Sequence, residues 1–152
     1  MKRVVILFWI TVAFGFAVSP VVAVGTSAVK GAPIASAIEE LIGHLFEPGY
    51  NEFLIAFITA LPFLAAAVFL LFHLSTEQVP RGRLSGVAGT LCAGAGLTLW
   101  VLIEIRTSRS STASIGFLFL PFEVLFAMLI GYVAGRLMAK LRPRSTINSS
   151  VS

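Results

Sequence analysis

The feature that most constrains the fold is a set of four long apolar segments separated by shorter polar stretches. The segments cover residues 4–24, 53–74, 84–105 and 113–138. A helix needs about 20 apolar residues to cross the hydrocarbon core of a bilayer, and helices satisfy their own backbone hydrogen bonds in lipid. The sequence therefore predicts an all-α integral membrane protein, a four-helix bundle.

Composition excludes a water-soluble globular domain. Of the 152 residues, 57% are hydrophobic and 12% are charged, whereas a soluble domain has about 25% charged residues. The length predicts one transmembrane domain over residues 1–144, followed by a disordered tail over 145–152. The single cysteine, Cys92, cannot form a disulfide within the chain. No basic surface interleaved with aromatic residues is present, so nucleic-acid binding is not predicted.

Two interpretations of residues 1–23 remain open. The basic start Lys2-Arg3, the apolar run and the small residues near Ala23 are compatible with a cleavable signal peptide. The run is also long enough to be an uncleaved first transmembrane helix, which is the favoured interpretation. Pro20 is expected to end or kink that helix near its far end.

A short extracytoplasmic amphipathic helix is predicted over residues 36–47. Ser36 and Glu39 fit a capping box, in which the two side chains satisfy free backbone donors at a helix start. Pro48-Gly49 is expected to end the helix. Apolar residues recur at helical spacing through it: Ile34, Ile38, Leu41, Ile42, Leu45 and Phe46. We expect this helix to lie at the membrane surface or to cap the bundle.

The distribution of Lys and Arg predicts the orientation, because cytoplasmic loops carry the excess. With both termini cytoplasmic, the inner segments hold Lys2, Arg3, Arg81, Arg83, Arg136, Lys140, Arg142 and Arg144. The outer segments hold Lys30, Arg106 and Arg109, and Glu104 is expected to offset one of these arginines. We predict a bacterial inner-membrane location, with anionic lipid headgroups attracted to Arg136, Lys140, Arg142 and Arg144 at about 1 kcal/mol per residue.

The fourth segment carries one carboxylate, Glu123, within its apolar run. An acidic residue at a helix centre costs roughly 2.5–3.5 kcal/mol on insertion, and each Leu, Ile, Phe or Val contributes about 0.3–0.6 kcal/mol in return. Twelve such residues lie between Ile115 and Val133, and together they contribute about 5 kcal/mol, so insertion is favoured. A carboxylate at this depth marks a functional candidate, and we interpret Glu123 as an intramembrane acid that is a candidate ion or proton site.

Small residues follow the helix stripe of Glu123. Ala127, Gly131 and Gly135 recur every four residues, and Gly116 lies seven residues before Glu123 on nearly the same side. Small residues at this spacing let another helix approach closely. We therefore expect the carboxylate to face a neighbouring helix, with the bulkier opposite surface facing lipid.

The third segment is expected to occupy the centre of the bundle. Residues 85–96 are small on every side, and a helix this thin can be packed by others all round. Trp100 is then expected near the far membrane interface, where amphipathic aromatic rings prefer to lie.

No catalytic residue and no cofactor are predicted. Glu40, His44 and Glu47 are weak candidates for a zinc site, because their spacing places them along one helix face. One helix supplies at most three ligands, and no second histidine accompanies it, so a solvated helix face is the favoured interpretation. The serines of residues 108–114 have no base nearby in the sequence and are better explained as helix caps.

The leading functional hypothesis is a non-enzymatic membrane protein, an accessory or assembly subunit acting through helix packing with itself or with another membrane protein. The alternative is a small proton- or cation-coupled transporter that uses Glu123. Metal sensing by the external helix is a third option. The sequence leaves the substrate, the partner and the oligomeric state open.

Overall fold

The computed structural model describes residues 2–47, 51–74, 81–108 and 113–141. These residues form five helices: α1 Lys2–Val29, α2 Ile34–Gly43, α3 Glu52–Leu74, α4 Arg81–Thr107 and α5 Ala113–Leu141. Four of them, all except α2, are long and apolar enough to cross a membrane. The predicted all-helical membrane bundle is therefore confirmed, and each spanning helix contains one of the four predicted segments. Arg142, Arg144 and the predicted tail lie outside the described residues.

The bundle is built from two antiparallel pairs, α1 with α3 and α4 with α5. Contacts of α3 with α5, and of α1 with α4, join the pairs. We call the end where α1 begins and α5 ends the basic end, because Lys2, Arg136 and Lys140 lie there. The opposite end, where α2 follows α1, is called the α2 end. The short helix α2 contacts α1.

The main hydrophobic cluster draws on all four long helices. Its buried members are Val18, Val22, Phe63, Ala66, Leu102, Leu120, Val124 and Met128. A second cluster towards the basic end contains Leu70, Leu74 and Val87. Buried threonines need no partner from another helix, since Thr59 and Thr98 each donate a hydrogen bond to the carbonyl four residues earlier.

The expectation that the third span is central is wrong. Helix α4 packs chiefly along α5, and Ala88, Cys92 and Gly96 are exposed on its other side. The small residues of α4 bring two helix backbones together on one side only. A methyl group on Gly89 would overlap the carbonyl oxygen of Gly131 in α5.

Two local predictions also need correction. Pro20 does not end α1, because the helix continues to Val29. Proline removes one backbone donor, and the residues two positions before and after it, Val18 and Val22, are both buried in the core. Helix α2 begins at Ile34 without a side-chain cap. The Ser36 hydroxyl donates to the Pro33 carbonyl at 2.8 Å instead of accepting from a backbone N–H, so the capping box does not form.

Helix α2 ends at Gly43, so the predicted stop at Pro48-Gly49, which lies outside the described residues, is not what ends it. Its isoleucines at positions 34, 38 and 42 are exposed, whereas Ala37 is buried. The isoleucine side of the apolar stripe therefore points away from the bundle, whereas Leu41 on the same stripe is half-buried. The turn after α2 is fixed to α3 by backbone hydrogen bonds from Glu52 to His44 and from Phe53 to Leu45.

Candidate functional site

Glu123 lies on the exposed flank of α5. It is eight residues from Ile115, where the apolar span begins, which places it about 12 Å along the helix axis from that point. Among the described residues it forms no hydrogen bond and no ion pair. Its neighbours one turn away, Phe119 and Phe126, are 58% and 65% exposed. The expectation that the carboxylate faces another helix of this chain is therefore wrong.

The small residues of the same stripe have a different environment from Glu123. Gly131 and Gly135 are buried against α4, where Ser85 donates a hydrogen bond to the Gly135 carbonyl at 2.7 Å. Gly116 is half-buried, and a methyl group there would lie 3.2 Å from the Ile105 side chain. The stripe drifts around the helix, since residues four apart differ by about 40° at 3.6 residues per turn. Gly131 and Gly135 consequently lie on the α4 side, and Ala127 and Glu123 lie progressively further towards the flank.

A polar cavity of about 350 Å³ opens at the α2 end. All five helices line it: Ala23, Thr26, Ser27, Lys30, Ala37, Glu40, Leu41, His44, Glu52, Ile105, Arg106, Ser108 and Phe117. Small-molecule sites commonly have about 300–1,000 Å³ of space. The cavity is large enough for a small polar solute, and it is lined by side chains of both charge signs.

A buried ion pair between Glu52 and Arg106 forms part of the cavity wall. Arg106 donates from Nη1 to Glu52 Oε1 at 3.0 Å and from Nη2 to Oε2 at 2.8 Å. The side chains are 10% and 6% exposed for Arg106 and Glu52, respectively. Nη2 also lies 3.3 Å from the hydroxyl of Ser19, which is fully buried. The pair therefore connects α3 and α4 directly, and α1 through Ser19.

Each charge of this ion pair lies at the helix end whose dipole favours it. Glu52 lies in the first turn of α3 and Arg106 in the last turn of α4. A negative charge at a helix start and a positive charge at a helix end both complement the helix dipole. Lys30 adds a third contact, because its ammonium donates to the Arg106 carbonyl at 3.2 Å. That carbonyl is in the last turn of α4, where backbone acceptors lack helical partners.

The ion pair also explains an exception to the charge distribution. With both termini in the cytoplasm, Arg106 lies on the outer side, where the rule predicts few arginines. Glu104 was expected to offset one such arginine. The partner of Arg106 is Glu52, which is 54 residues away in the sequence. Glu104 is exposed on α4. Arg109, the other arginine of this loop, lies outside the described residues.

The weak metal candidates do not form a three-ligand site. Glu40 and His44 both line the cavity, and His44 Nδ1 pairs with the Glu47 carboxylate. Within residues 2–47, 51–74, 81–108 and 113–141, no group of three His, Cys, Asp or Glu side chains is arranged to hold a metal ion. The spacing along the sequence placed the three residues on one face of a helix, but α2 ends at Gly43, so Glu47 is not part of that helix.

Glu52 and Ser19 are the site residues that sequence reasoning missed. Glu52 immediately precedes the predicted second span, and its role depends on α3 and α4 meeting at one end. The one signal in the sequence was Arg106, because it lies in a segment predicted to be outside the cytoplasm, where arginine is less common. The chain matches no family model, no curated protein and no solved structure.

Proposed function

We propose that this protein is a non-enzymatic accessory or assembly subunit that binds a membrane-spanning helix of another protein at the Glu123 flank of α5. The observation that supports this proposal is the uncovered carboxylate in a membrane-spanning helix. A charged group in lipid is costly and is found facing protein or a water-filled cavity. Within its own chain, Glu123 has neither environment among the described residues.

The chemistry of the partner follows from the charge. The four spans of this chain contain no Lys or Arg at the depth of Glu123, so a second copy offers no cation to pair with it. A helix of a different protein with a basic or hydrogen-bond-donating side chain at the same depth would satisfy the carboxylate. The half-buried Ala127, one turn along, leaves space beside Glu123 for such a helix.

The test is co-purification of the full-length tagged chain from its native membranes in mild detergent, with cross-linking before extraction. Glu123→Leu should remove the partner helix, whereas Leu118→Ala, on the other exposed side of α5, should retain it. Glu123→Gln should give an intermediate yield, since Gln keeps hydrogen-bonding capacity without charge. A wild-type chain that migrates as a lone monomer on blue-native gels, with no cross-linked partner, would overturn the proposal.

The alternative is a proton- or cation-coupled transporter that uses Glu123. A carrier carboxylate must reach water on each side in turn, yet Glu123 does not line the polar cavity at the α2 end. This alternative therefore has less support from the geometry. In reconstituted vesicles, a pH-dependent cation flux that Glu123→Gln abolishes without unfolding the protein would favour it over the accessory role.

We further infer that the protein resides in a bacterial inner membrane with both termini in the cytoplasm. The support is the Lys and Arg distribution, with Lys2, Arg136 and Lys140 at the basic end. Pairing of Arg106 with Glu52 removes one of the opposing charges from the count. On this orientation the polar cavity faces the periplasm.

A further inference from the structure

A second cavity, of about 280 Å³, lies between α3, α4 and α5 within the membrane-spanning part of the bundle. We call it the crevice. On one side it is lined by Ala65, Ala66 and Phe69 of α3, and Thr90 lines it from α4. Its other side is formed by Leu125, Met128, Leu129 and Tyr132 of α5. Along α5 it covers seven residue steps, or about 10 Å.

The crevice presents hydrocarbon to whatever occupies it. The Thr90 hydroxyl donates to the Gly86 carbonyl of its own helix at 3.1 Å. The Tyr132 hydroxyl lies 2.7 Å from His73 Nε2. Both polar groups of the lining are therefore satisfied within the protein. Ala65 and Leu129 are exposed, so the crevice is open to the lipid-facing surface, and a bilayer acyl chain can enter it from the side.

Apart from Thr90, the polar and cationic groups described beside the crevice lie at one end of it. Tyr132 is at that end, and Arg136 follows one helical turn later, with its guanidinium carbon 5.8 Å from the centre of the Tyr132 ring. His73 stacks on Phe69 with ring centres 4.7 Å apart. Arg136 is exposed and lies towards the basic end of the bundle. An apolar slot that leads to a cation matches the two parts of a phospholipid.

The positive charge at the basic end favours a lipid with an anionic headgroup. At the basic end, Arg136 and Lys140 belong to α5, and the described acidic residues lie at the α2 end or at Glu123. A guanidinium can hold a phosphate through charge-assisted hydrogen bonds, which are stronger than neutral ones. We propose that the crevice binds one acyl chain of an anionic phospholipid whose phosphate is held by Arg136. This site is independent of the Glu123 flank and of the partner proposed for it.

The test uses the full-length chain in detergent, with native mass spectrometry to count bound lipid during titration with phosphatidylglycerol or with phosphatidylcholine. Wild-type protein should retain one phosphatidylglycerol more tightly than phosphatidylcholine. Arg136→Gln should weaken phosphatidylglycerol binding by about tenfold or more, because a charge-assisted hydrogen bond is lost. Lys140→Gln, which removes the same charge one turn further along α5, should weaken it by no more than about fivefold, as expected for general surface attraction.

A second pair of variants tests the acyl-chain slot. Ala65→Trp should fill the crevice and remove the bound lipid, whereas Ala88→Trp, at an exposed alanine on α4, should leave it bound. If the tryptophan prevents folding, Ala65→Leu provides a smaller obstruction. A thermal unfolding transition verifies that each variant is folded. Glycerol phosphate, the headgroup without chains, should not displace the lipid.

Four outcomes would overturn the proposal. One is equal weakening by Arg136→Gln and Lys140→Gln, which indicates surface attraction without a site. Another is unchanged phosphatidylglycerol binding in folded Ala65→Trp or Ala65→Leu protein. The third is displacement by glycerol phosphate, and the fourth is equal binding of the two lipids.

Discussion

Glu52 and Glu123 are glutamates on neighbouring apolar helices, and they have opposite surroundings. Glu52 is 5% exposed and receives two hydrogen bonds from Arg106. Glu123 is exposed on a helix flank and has no described partner. A carboxylate at a helix start is favoured by the dipole and can meet a cation at a neighbouring helix end. A carboxylate within a span can be satisfied only laterally, and this difference supports the proposal that Glu52 acts in folding and Glu123 in association.

The largest expected effect tests the Glu52 side of this comparison. Glu52→Ala leaves Arg106 buried without its carboxylate, and removal of one partner from a buried ion pair costs about 3–5 kcal/mol. Arg106→Ala should have a similar cost. The measurement is the free energy of unfolding in detergent micelles by denaturant titration.

A double variant separates the pair from the individual charges. Glu52→Leu with Arg106→Met should be much more stable than the sum of the single losses, because no charge is left buried. Additive losses would mean that the two side chains stabilise the bundle independently. In that case the Glu52–Arg106 contact would not be what distinguishes this acid from Glu123.

The second largest effect tests whether the small residues on the helix stripe of Glu123 pack against another helix of the same chain. Gly89→Ala places a methyl group against the Gly131 carbonyl, and overpacking of this kind costs about 1–3 kcal/mol. The matched control is Gly96→Ala on the same helix, where no atom lies within 4 Å of the added methyl group. That change should stabilise the helix by up to about 1 kcal/mol. Similar effects at both positions would argue against close α4–α5 backbone packing.

The smallest expected effect belongs to Glu123 itself. Glu123→Leu removes no described hydrogen bond or ion pair, so the free energy of unfolding of the isolated chain should change by no more than about 0.5 kcal/mol. The same unfolding assay compares it directly with Glu52→Leu, which should lose several kcal/mol. A large loss at Glu123 would mean that the carboxylate is satisfied inside its own chain, and the two acids would then be alike.

Sequence patterns predicted much of the fold because they report how a segment interacts with lipid. The four spans and the short amphipathic helix follow from runs and periodicities within single segments. Predictions from the same patterns were wrong where the local structure depends on contacts outside the pattern itself. Small residues in α4 indicated a central helix, but they accommodate α5 on one side only. Ser36 and Glu39 fit a capping box, but α2 begins at Ile34, two residues before Ser36, so the Ser36 hydroxyl binds the Pro33 carbonyl.

The sequence by itself determined that this chain is a helical membrane protein, which residues lie within each span, and that one carboxylate is located in the last of them. Hydropathy is a property of each segment with its solvent, so no knowledge of neighbours is needed. Only the tertiary structure decided which charges meet. Glu52 and Arg106 are 54 positions apart and are paired because α3 begins where α4 ends. The exposure of Glu123 likewise depends on the angle at which α5 presents its stripe to α4, which no single segment encodes.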